Sequence, residues 1–217
     1  MAVRKIGINC RSMTGREGYS SQQFESALER DLLDLLAFDL NVDHCEAQPL
    51  RLHYVGDNGE QRPYTPDILI HYRRDISPAK DMLHVLAEVK YREEYREKYH
   101  ELKQRFRAAR RYAKERGWRF CVFTEREIRT PYLGNARLLR PYRDHAPDPL
   151  REHALIERLA SLKVTTPSEL LQVFAADTVE RARYLAVLWK LVSEFRIQTD
   201  LTEKITMQSQ LRPCLEE

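Results

Sequence analysis

Cysteine is scarce in this sequence, and its four copies lie far apart. They stand at Cys10, Cys45, Cys121 and Cys214, and no two of them form a Cys-x-x-Cys pair. This spacing excludes a four-cysteine zinc site and argues against a disulfide framework. We therefore expect reduced thiols, which are typical of a cytoplasmic protein.

Long apolar runs are absent as well. No run approaches the roughly 20 apolar residues that a transmembrane helix needs, and residues 1–7 lack the apolar region of a signal peptide. We expect a cytoplasmic protein without membrane association. The net charge of +3 is mild, so composition alone does not predict a nucleic-acid partner. The chain, 42% hydrophobic over 217 residues, is long enough for one large domain or for two smaller ones.

Two apolar stretches each carry an acidic residue at one end. Leu83–Ala87 predicts a strand that ends on Glu88 and Lys90, and residues two apart on a strand point to the same side. Asp67 follows a proline at the beginning of a second apolar strand, Ile68–Tyr72. Alone, a Glu-x-Lys is usually a solvated strand end and a Pro-Asp is usually a turn. Together they predict a site in which carboxylates hold a divalent cation and a lysine stabilises a developing anion.

The order of the predicted elements indicates an α/β fold. A helix with an apolar stripe is followed by antiparallel strands and then by a strand–helix–strand unit. This order, with the Pro-Asp and Glu-x-Lys patterns, resembles the PD-(D/E)xK nuclease superfamily, so we expect a restriction-endonuclease-like core with a mixed sheet flanked by helices. The other segments on which this rests are a stripe at Phe24, Leu28, Leu32, Leu35 and Leu36, strands at Val42–Glu46 and Leu50–Val55, a returning strand from Arg62, a helix at Arg92–Arg116 and an interior strand at Trp118–Thr124.

The predicted helix Arg92–Arg116 has an apolar face and a basic one. Between residues 90 and 119, twelve Lys or Arg stand against five Glu. Such a helix is often only a soluble surface, but this local excess favours contact with DNA phosphates, and a basic arm at residues 1–20 is a second candidate. The packing face is predicted at Tyr95, Tyr99, Leu102, Phe106, Ala109 and Ala113. The predicted DNA-binding residues are Arg4, Lys5, Arg11, Lys103, Arg107, Arg110, Arg111 and Lys114.

The sequence after residue 125 predicts a second, helical domain. An Arg- and Pro-rich bridge precedes a composition shift, which predicts a domain boundary between 147 and 148. The helices are predicted at Leu150–Leu162, Leu170–Ala175 and Val179–Glu194, followed by a hairpin of Phe195–Leu201 with Ile205–Ser209. Three helices and a hairpin are a winged-helix pattern, and such modules bind DNA or protein. We thus expect an arm at 1–20, a nuclease domain at 21–147 and a small winged-helix-like domain at 148–217.

An ordered set of motifs resembles one nuclease family more closely. The TnsA endonucleases are subunits of heteromeric transposases in Tn7-like elements, and the resemblance covers roughly Ser20 to Thr124. The motifs that carry it are Phe24-Glu-Ser-x-Leu-Glu29-Arg-Asp-Leu-Leu-x-Leu-Leu-x-Phe-Asp39, Glu46-x-Gln-Pro49, Tyr64-Thr-Pro-Asp67 and Leu86-x-Glu-Val-Lys90-Tyr-Arg.

The resemblance implies a role in cut-and-paste DNA transposition in bacteria. The family's nuclease cuts the 5′ ends of the transposon, while a DDE-type transposase, TnsB, cuts and joins the 3′ ends. An AAA+ regulator, TnsC, couples excision to target choice through contacts that involve the family's C-terminal region. The implied partners are therefore double-stranded DNA at the transposon ends, TnsB and TnsC.

The family's site residues map onto this chain position by position. Glu29 corresponds to the helix acid, Asp67 to the Pro-Asp ligand, Glu88 to the second strand acid and Lys90 to the catalytic lysine. Glu25 is the alternative helix acid. Some members carry Gln at the position of Glu88, and a carboxylate here favours a conventional metal site.

Mg²⁺ is the cofactor that this arrangement implies, with Mn²⁺ as a substitute and one or two ions per site. Asp67 and Glu88 would bind it, with help from Glu29 and the backbone carbonyl of Val89. Three other interpretations remain open: a stand-alone PD-(D/E)xK restriction or repair nuclease, a non-catalytic scaffold that links transposase and AAA+ regulator, and a winged-helix regulator with an incidental α/β domain.

Overall fold

The computed structural model describes residues 27–174 and 177–214, and the chain divides into two compact units between Arg129 and Thr130. This division comes earlier in the chain than the boundary that the composition shift predicts between 147 and 148. Within the described ranges, no helix combines the length and the apolar character needed to cross a membrane.

The first unit is an α/β domain. In chain order its elements are α1 (Ala27–Phe38), β1 (Val42–Ala47), β2 (Leu52–Val55), β3 (Gln61–Tyr64), β4 (Ile68–Tyr72), a 3₁₀ helix at Ala79–Asp81, β5 (Val85–Val89), α2 (Arg92–Glu97), α3 (Tyr99–Glu115), β6 (Arg119–Phe123) and α4 (Glu125–Ile128). A mixed sheet has the strand order β1-β4-β5-β6, in which β1 and β5 run antiparallel to β4, and β6 runs parallel to β5. β2 and β3 form a separate hairpin. The predicted restriction-endonuclease-like α/β core is confirmed.

The two central strands are apolar because both of their faces are covered. All five residues of β5 are buried, and so are four of the five in β4. On one face, Leu69 and Leu86 pack with Leu102, Phe106 and Ala109 of α3. Burial of each large apolar side chain contributes roughly 1.5–3 kcal/mol, so this layer holds α3 firmly over β5.

Four details of the predicted core are wrong. Strand β5 begins at Val85 rather than Leu83, whose side chain is 56% exposed. The single helix Arg92–Arg116 is broken at Lys98, where the backbone leaves the helical range. Tyr99, just after the break, is 43% exposed and not part of the packing face. Strand β6 lies at the edge of the described sheet rather than in its interior.

The second unit is helical with a small sheet. Its elements are α5 (Pro131–Leu139), a 3₁₀ helix at Arg140–Asp144, α6 (Pro149–Leu162), α7 (Pro167–Phe174), α8 (Thr178–Ser193), β7 (Ile197–Gln198) and β8 (Arg212–Pro213). The three predicted helices correspond to α6, α7 and α8. Helix α5 and the 3₁₀ helix after it also pack against α8, and for this reason the compact unit begins before residue 147.

The predicted hairpin partner is wrong. β7 pairs with β8, and not with Ile205–Ser209. Asn135 explains this, because its side chain binds the backbone of the intervening loop: Nδ2 donates to the carbonyls of Leu201 (2.9 Å) and Glu203 (2.7 Å), and Oδ1 accepts from the amide of Ile205 (3.0 Å). These loop groups are thus satisfied without a strand ladder.

A single bridge enlarges this small sheet. Thr165, between α6 and α7, pairs with Leu211 immediately before β8. The order helix, bridge, helix, helix, strand, strand agrees with a winged-helix arrangement, and that assignment stays a prediction.

Candidate nuclease site

The beginning of β4 and the end of β5 bring Asp67 and Glu88 to one place. The strands are antiparallel with Ile68 opposite Ala87, so the residue before β4 lies beside the end of β5. The carboxylate of Asp67 accepts a hydrogen bond from the Val89 amide at 2.7 Å. Asp67 thereby continues the strand pairing with its side chain and holds its carboxylate near Glu88.

Lys90 completes the cluster from the residue after β5. Its Nζ lies 3.3 Å from Glu88 Oε1 and 3.8 Å from Asp67 Oδ2, and it donates to the Val89 carbonyl at 3.1 Å. The Glu88 side chain is only 3% exposed, whereas Asp67 and Lys90 are 14% and 21% exposed. The arrangement is a shallow site with one deeply buried carboxylate beneath an ammonium group.

Two residues that were not predicted from the sequence contact the carboxylate of Glu88. The Tyr64 hydroxyl donates to Glu88 Oε2 at 2.5 Å, and a guanidinium nitrogen of Arg105 lies 4.0 Å from Glu88 Oε1. The Arg105 guanidinium also lies over the Tyr64 ring, 5.5 Å from its centroid. A signal was available for Arg105, because it lies three residues after Leu102 and therefore borders the packing face of its helix.

The electrostatics of the cluster oppose the ionisation of Glu88. Burial, and then repulsion by Asp67, raise the pKa of Glu88, although Lys90, Tyr64 and Arg105 counteract part of this. Burial also raises the pKa of Tyr64, as does the charge of Glu88, so the hydroxyl stays protonated and acts as a donor. A cation placed between the two carboxylates would relieve their repulsion.

In Lys90, unlike in Glu88, the surroundings favour the charged form of the side chain. Burial is the largest single influence and favours the neutral amine, but the charges of Glu88 and Asp67 together outweigh it and raise the pKa of Lys90. The side chain is therefore an ammonium at neutral pH. It can stabilise an anion or orient a water molecule, but it is not available as a general base.

The backbone around Lys90 is fixed on both sides. The Lys90 amide donates to the Phe123 carbonyl at 3.0 Å, which extends the β5–β6 pairing by one residue. The Arg92 amide donates to the side chain of Glu125 at 2.8 Å. The short connection between β5 and α2 is thus tied to the end of β6 and the beginning of α4.

The other predicted site residues lie on α1, at the end of β5, on α3, or outside the described residues. Glu29 lies in the first turn of α1 with a partly buried side chain, and its role as the helix acid stays a prediction. The carbonyl of Val89 accepts the hydrogen bond from Lys90. On α3, Lys103 is partly buried, and Arg107, Arg110, Arg111 and Lys114 are exposed. Glu25, Arg4, Lys5 and Arg11 lie outside the described residues.

A mixed sheet with Pro-Asp and Glu-x-Lys side chains at adjacent strand ends is a restriction-endonuclease-like arrangement. Comparison with protein families then gives a specific result: residues 39–125 match the model described as TnsA-like endonuclease N terminal. Residues 39–125 are thus similar to the N-terminal domain of TnsA-like endonucleases, which confirms the resemblance seen in the motifs. The match contains Asp67, Glu88, Lys90 and α3, and it begins after Glu29. A comparison with curated proteins gives no match.

Proposed function

We propose that this protein is the metal-dependent DNA endonuclease subunit of a heteromeric transposase, and that it cuts the 5′ ends of the transposon in the bacterial cytoplasm. The observation that carries the proposal is the approach of Asp67 and Glu88 to one lysine nitrogen, within a domain that matches the TnsA-like model. A non-catalytic scaffold would have no need to keep these buried charges together, since they cost stability.

The donor set fits Mg²⁺ or Mn²⁺. Asp67 and Glu88 offer hard carboxylate oxygens, and the repulsion that raises the pKa of Glu88 is what a divalent ion would neutralise. Glu29 and the Val89 carbonyl are the proposed additional ligands, for one or two ions. When bound, the metal would lower the pKa of a water molecule and stabilise negative charge on the phosphate.

The protein's own groups would position the reactants. The ammonium of Lys90 would orient the attacking water or neutralise the scissile phosphate. Tyr64 and Arg105 would keep Glu88 in the orientation that a metal needs. The exposed Arg107, Arg110 and other basic residues of α3, with the arm residues Arg4, Lys5 and Arg11, would grip the duplex without reading its sequence.

The proposed partners follow from the same assignment. TnsB would recognise the transposon ends and cut the 3′ ends, so this chain needs only weak DNA affinity of its own. The second unit, proposed to be a winged-helix-like domain, would contact TnsC. The order of α6, α7, α8, β7 and β8 supports that architecture.

Reconstituted excision tests this function. With DNA carrying transposon ends, the transposase and regulator, and Mg²⁺, we expect 5′-end nicks that require the chain, the transposase and the metal together, and that disappear when EDTA is added. Nicking by the chain alone would instead favour a restriction or repair nuclease. Complete excision by a chain whose Asp67 is replaced would favour a scaffold.

Replacing Tyr64 by phenylalanine tests the support of Glu88. The substitution deletes one hydroxyl and leaves a buried carboxylate oxygen with one hydrogen bond fewer. We expect about tenfold weaker Mn²⁺ affinity, as is typical when a partner of a metal ligand is lost. Metal titration of nicking activity and of Mn²⁺ binding measures this effect. Tyr54→Phe, a partly buried tyrosine on β2 beside the same core, is the matched control; equal affinity in Tyr64→Phe and Tyr54→Phe would remove Tyr64 from the site.

A further inference from the structure

A second group of potential metal ligands lies away from the nuclease site. Nitrogen atoms of His44 and His71 and an oxygen of Glu46 lie within 4.8 Å of one another. His44 and Glu46 are on β1 and His71 is on β4. His71 lies four positions after Asp67 in the sequence, which is about 13 Å along an extended strand, so the two clusters are distinct.

A β-bulge creates this cluster. Val42 pairs with Tyr72, but His44 pairs with His71, so Asp43 is an extra residue in β1. Without the bulge, Asp43 would stand opposite His71, and His44 and Glu46 would point to the other side of the sheet. The bulge thus turns two ligand-type side chains to the face that carries His71.

Both histidine Nε2 atoms lie near the same carboxylate oxygen. Glu46 Oε1 lies 2.8 Å from His71 Nε2 and 3.7 Å from His44 Nε2. Although the first pair is close, it lacks hydrogen-bond geometry, and the buried His71 Nε2 has no hydrogen-bond partner in the part of the chain that the structure describes. A buried ring nitrogen beside a carboxylate, with no partner of its own, is a group that an ion would satisfy.

His44 has the orientation expected of a metal ligand. Its Nδ1 lies 2.8 Å from Asp43 Oδ2, and a histidine that donates from Nδ1 to a carboxylate presents the lone pair of Nε2. The rings of His44 and His71 are stacked with centroids 4.2 Å apart.

His84 continues the row of histidines but does not belong to the ligand set. Its Nδ1 contacts the Tyr72 amide at 3.1 Å, and its Nε2 contacts Arg74 at 2.9 Å. Both of its nitrogens are thus engaged, and an arginine beside it disfavours a cation. The side chains of His44 and Glu46 are 50% and 47% exposed, which leaves the cluster open to water on one side.

We propose that His44, Glu46 and His71 form a binding site for a transition-metal ion of the Zn²⁺ class, with Asp43 as the residue that positions His44. Two imidazoles and one carboxylate suit Zn²⁺, Co²⁺ or Ni²⁺ rather than Mg²⁺. With metal–ligand bonds of about 2.0–2.1 Å, a tetrahedral ion needs ligands about 3.3 Å apart. Binding would require the nearly parallel rings of His44 and His71 to rotate until their lone pairs meet at one ion, and water would take the fourth position. The ion would join β1 to β4.

Metal binding to the full chain without DNA tests this site independently of nuclease activity. After stripping with a chelator, the protein is titrated with Zn²⁺ against a chromophoric zinc indicator, and with Co²⁺ in the visible range. We expect one Zn²⁺ equivalent and the absorption bands of tetrahedral Co²⁺. His71→Ala and Glu46→Gln should each weaken binding by at least about tenfold, and Asp43→Ala by about tenfold.

Two control variants separate this site from other sources of binding. His53→Ala removes an exposed histidine of β2, and Asp67→Asn alters the nuclease site; neither should change the Zn²⁺ equivalent. Circular dichroism of the metal-free variants verifies folding, and the exposed Glu46 keeps the test valid if His71→Ala does not fold. No Zn²⁺ uptake by the wild-type chain, or uptake that persists in Glu46→Gln but is lost in Asp67→Asn, would overturn the proposal.

Discussion

Replacing Asp67 or Lys90 by alanine is expected to abolish 5′-end nicking, with a loss of at least about 10²–10³-fold in rate. Asp67 supplies one of the two carboxylates at the site, and Lys90 supplies the positive charge that both carboxylates approach. Nicking in the reconstituted reaction, measured by mapping of 5′ ends, checks the expectation.

Lys98→Ala is the matched control for Lys90→Ala. It removes an exposed lysine of the same unit that forms a surface ion pair with Glu94, four positions earlier, and such a surface pair contributes about 0–1 kcal/mol. Thermal unfolding verifies that Asp67→Ala folds, since this substitution relieves the repulsion of Glu88 but also removes the acceptor of the Val89 amide. Full cleavage by Asp67→Ala and Lys90→Ala would reject both catalytic assignments.

Replacing Phe106 by alanine is expected to reduce the free energy of unfolding of the first unit by about 3–5 kcal/mol. The side chain is 1% exposed, and its ring lies 5.3 Å from that of Phe120 and 6.2 Å from those of Tyr64 and Tyr95, between centroids. The substitution leaves a cavity between α3 and the sheet. Urea unfolding of the full chain measures the change.

Tyr99→Ala is the control on the same helix, since this tyrosine is 43% exposed whereas Phe106 is buried, and a change below about 1 kcal/mol is expected. Phe106 also lies directly below the Tyr64 and Arg105 pair that holds Glu88. The Phe106 variant should therefore lose Mn²⁺ affinity under conditions in which it is still folded. An unfolding free energy equal to that of the Tyr99 control would show that this layer does not hold α3 on the sheet.

The cluster of Asp67, Glu88 and Lys90 could be predicted from the sequence because strand geometry determines most of it. Apolar runs located β4 and β5, and the two-residue period placed Glu88 and Lys90 on one side. Tyr64 and Arg105 were missed because their contacts with Glu88 depend on how the hairpin and α3 pack, and local spacing carries little information on packing.

The predictions that were wrong, or that were not made, also concern features that local spacing does not encode. Helix periodicity continued through Lys98, where no Gly or Pro marks a break. Alternation suggested a strand at Ile205–Ser209, but Asn135, far away in sequence, binds that loop. The group of His44, Glu46 and His71 was invisible because the bulge at Asp43 changes the register, and an unbroken alternation pattern would place those residues on different faces.

The two backbone hydrogen bonds beside Lys90 fix the position of its main chain before any DNA binds. The backbone amide of Lys90 is bound by Phe123, and the start of the following helix is bound by Glu125. The lysine can therefore move mainly by rotation about the bonds of its side chain. Much of the conformational entropy that a loop-borne amine would lose on meeting a phosphate has therefore already been lost during folding. Arrival of the DNA then requires rotation of one side chain rather than the ordering of a segment.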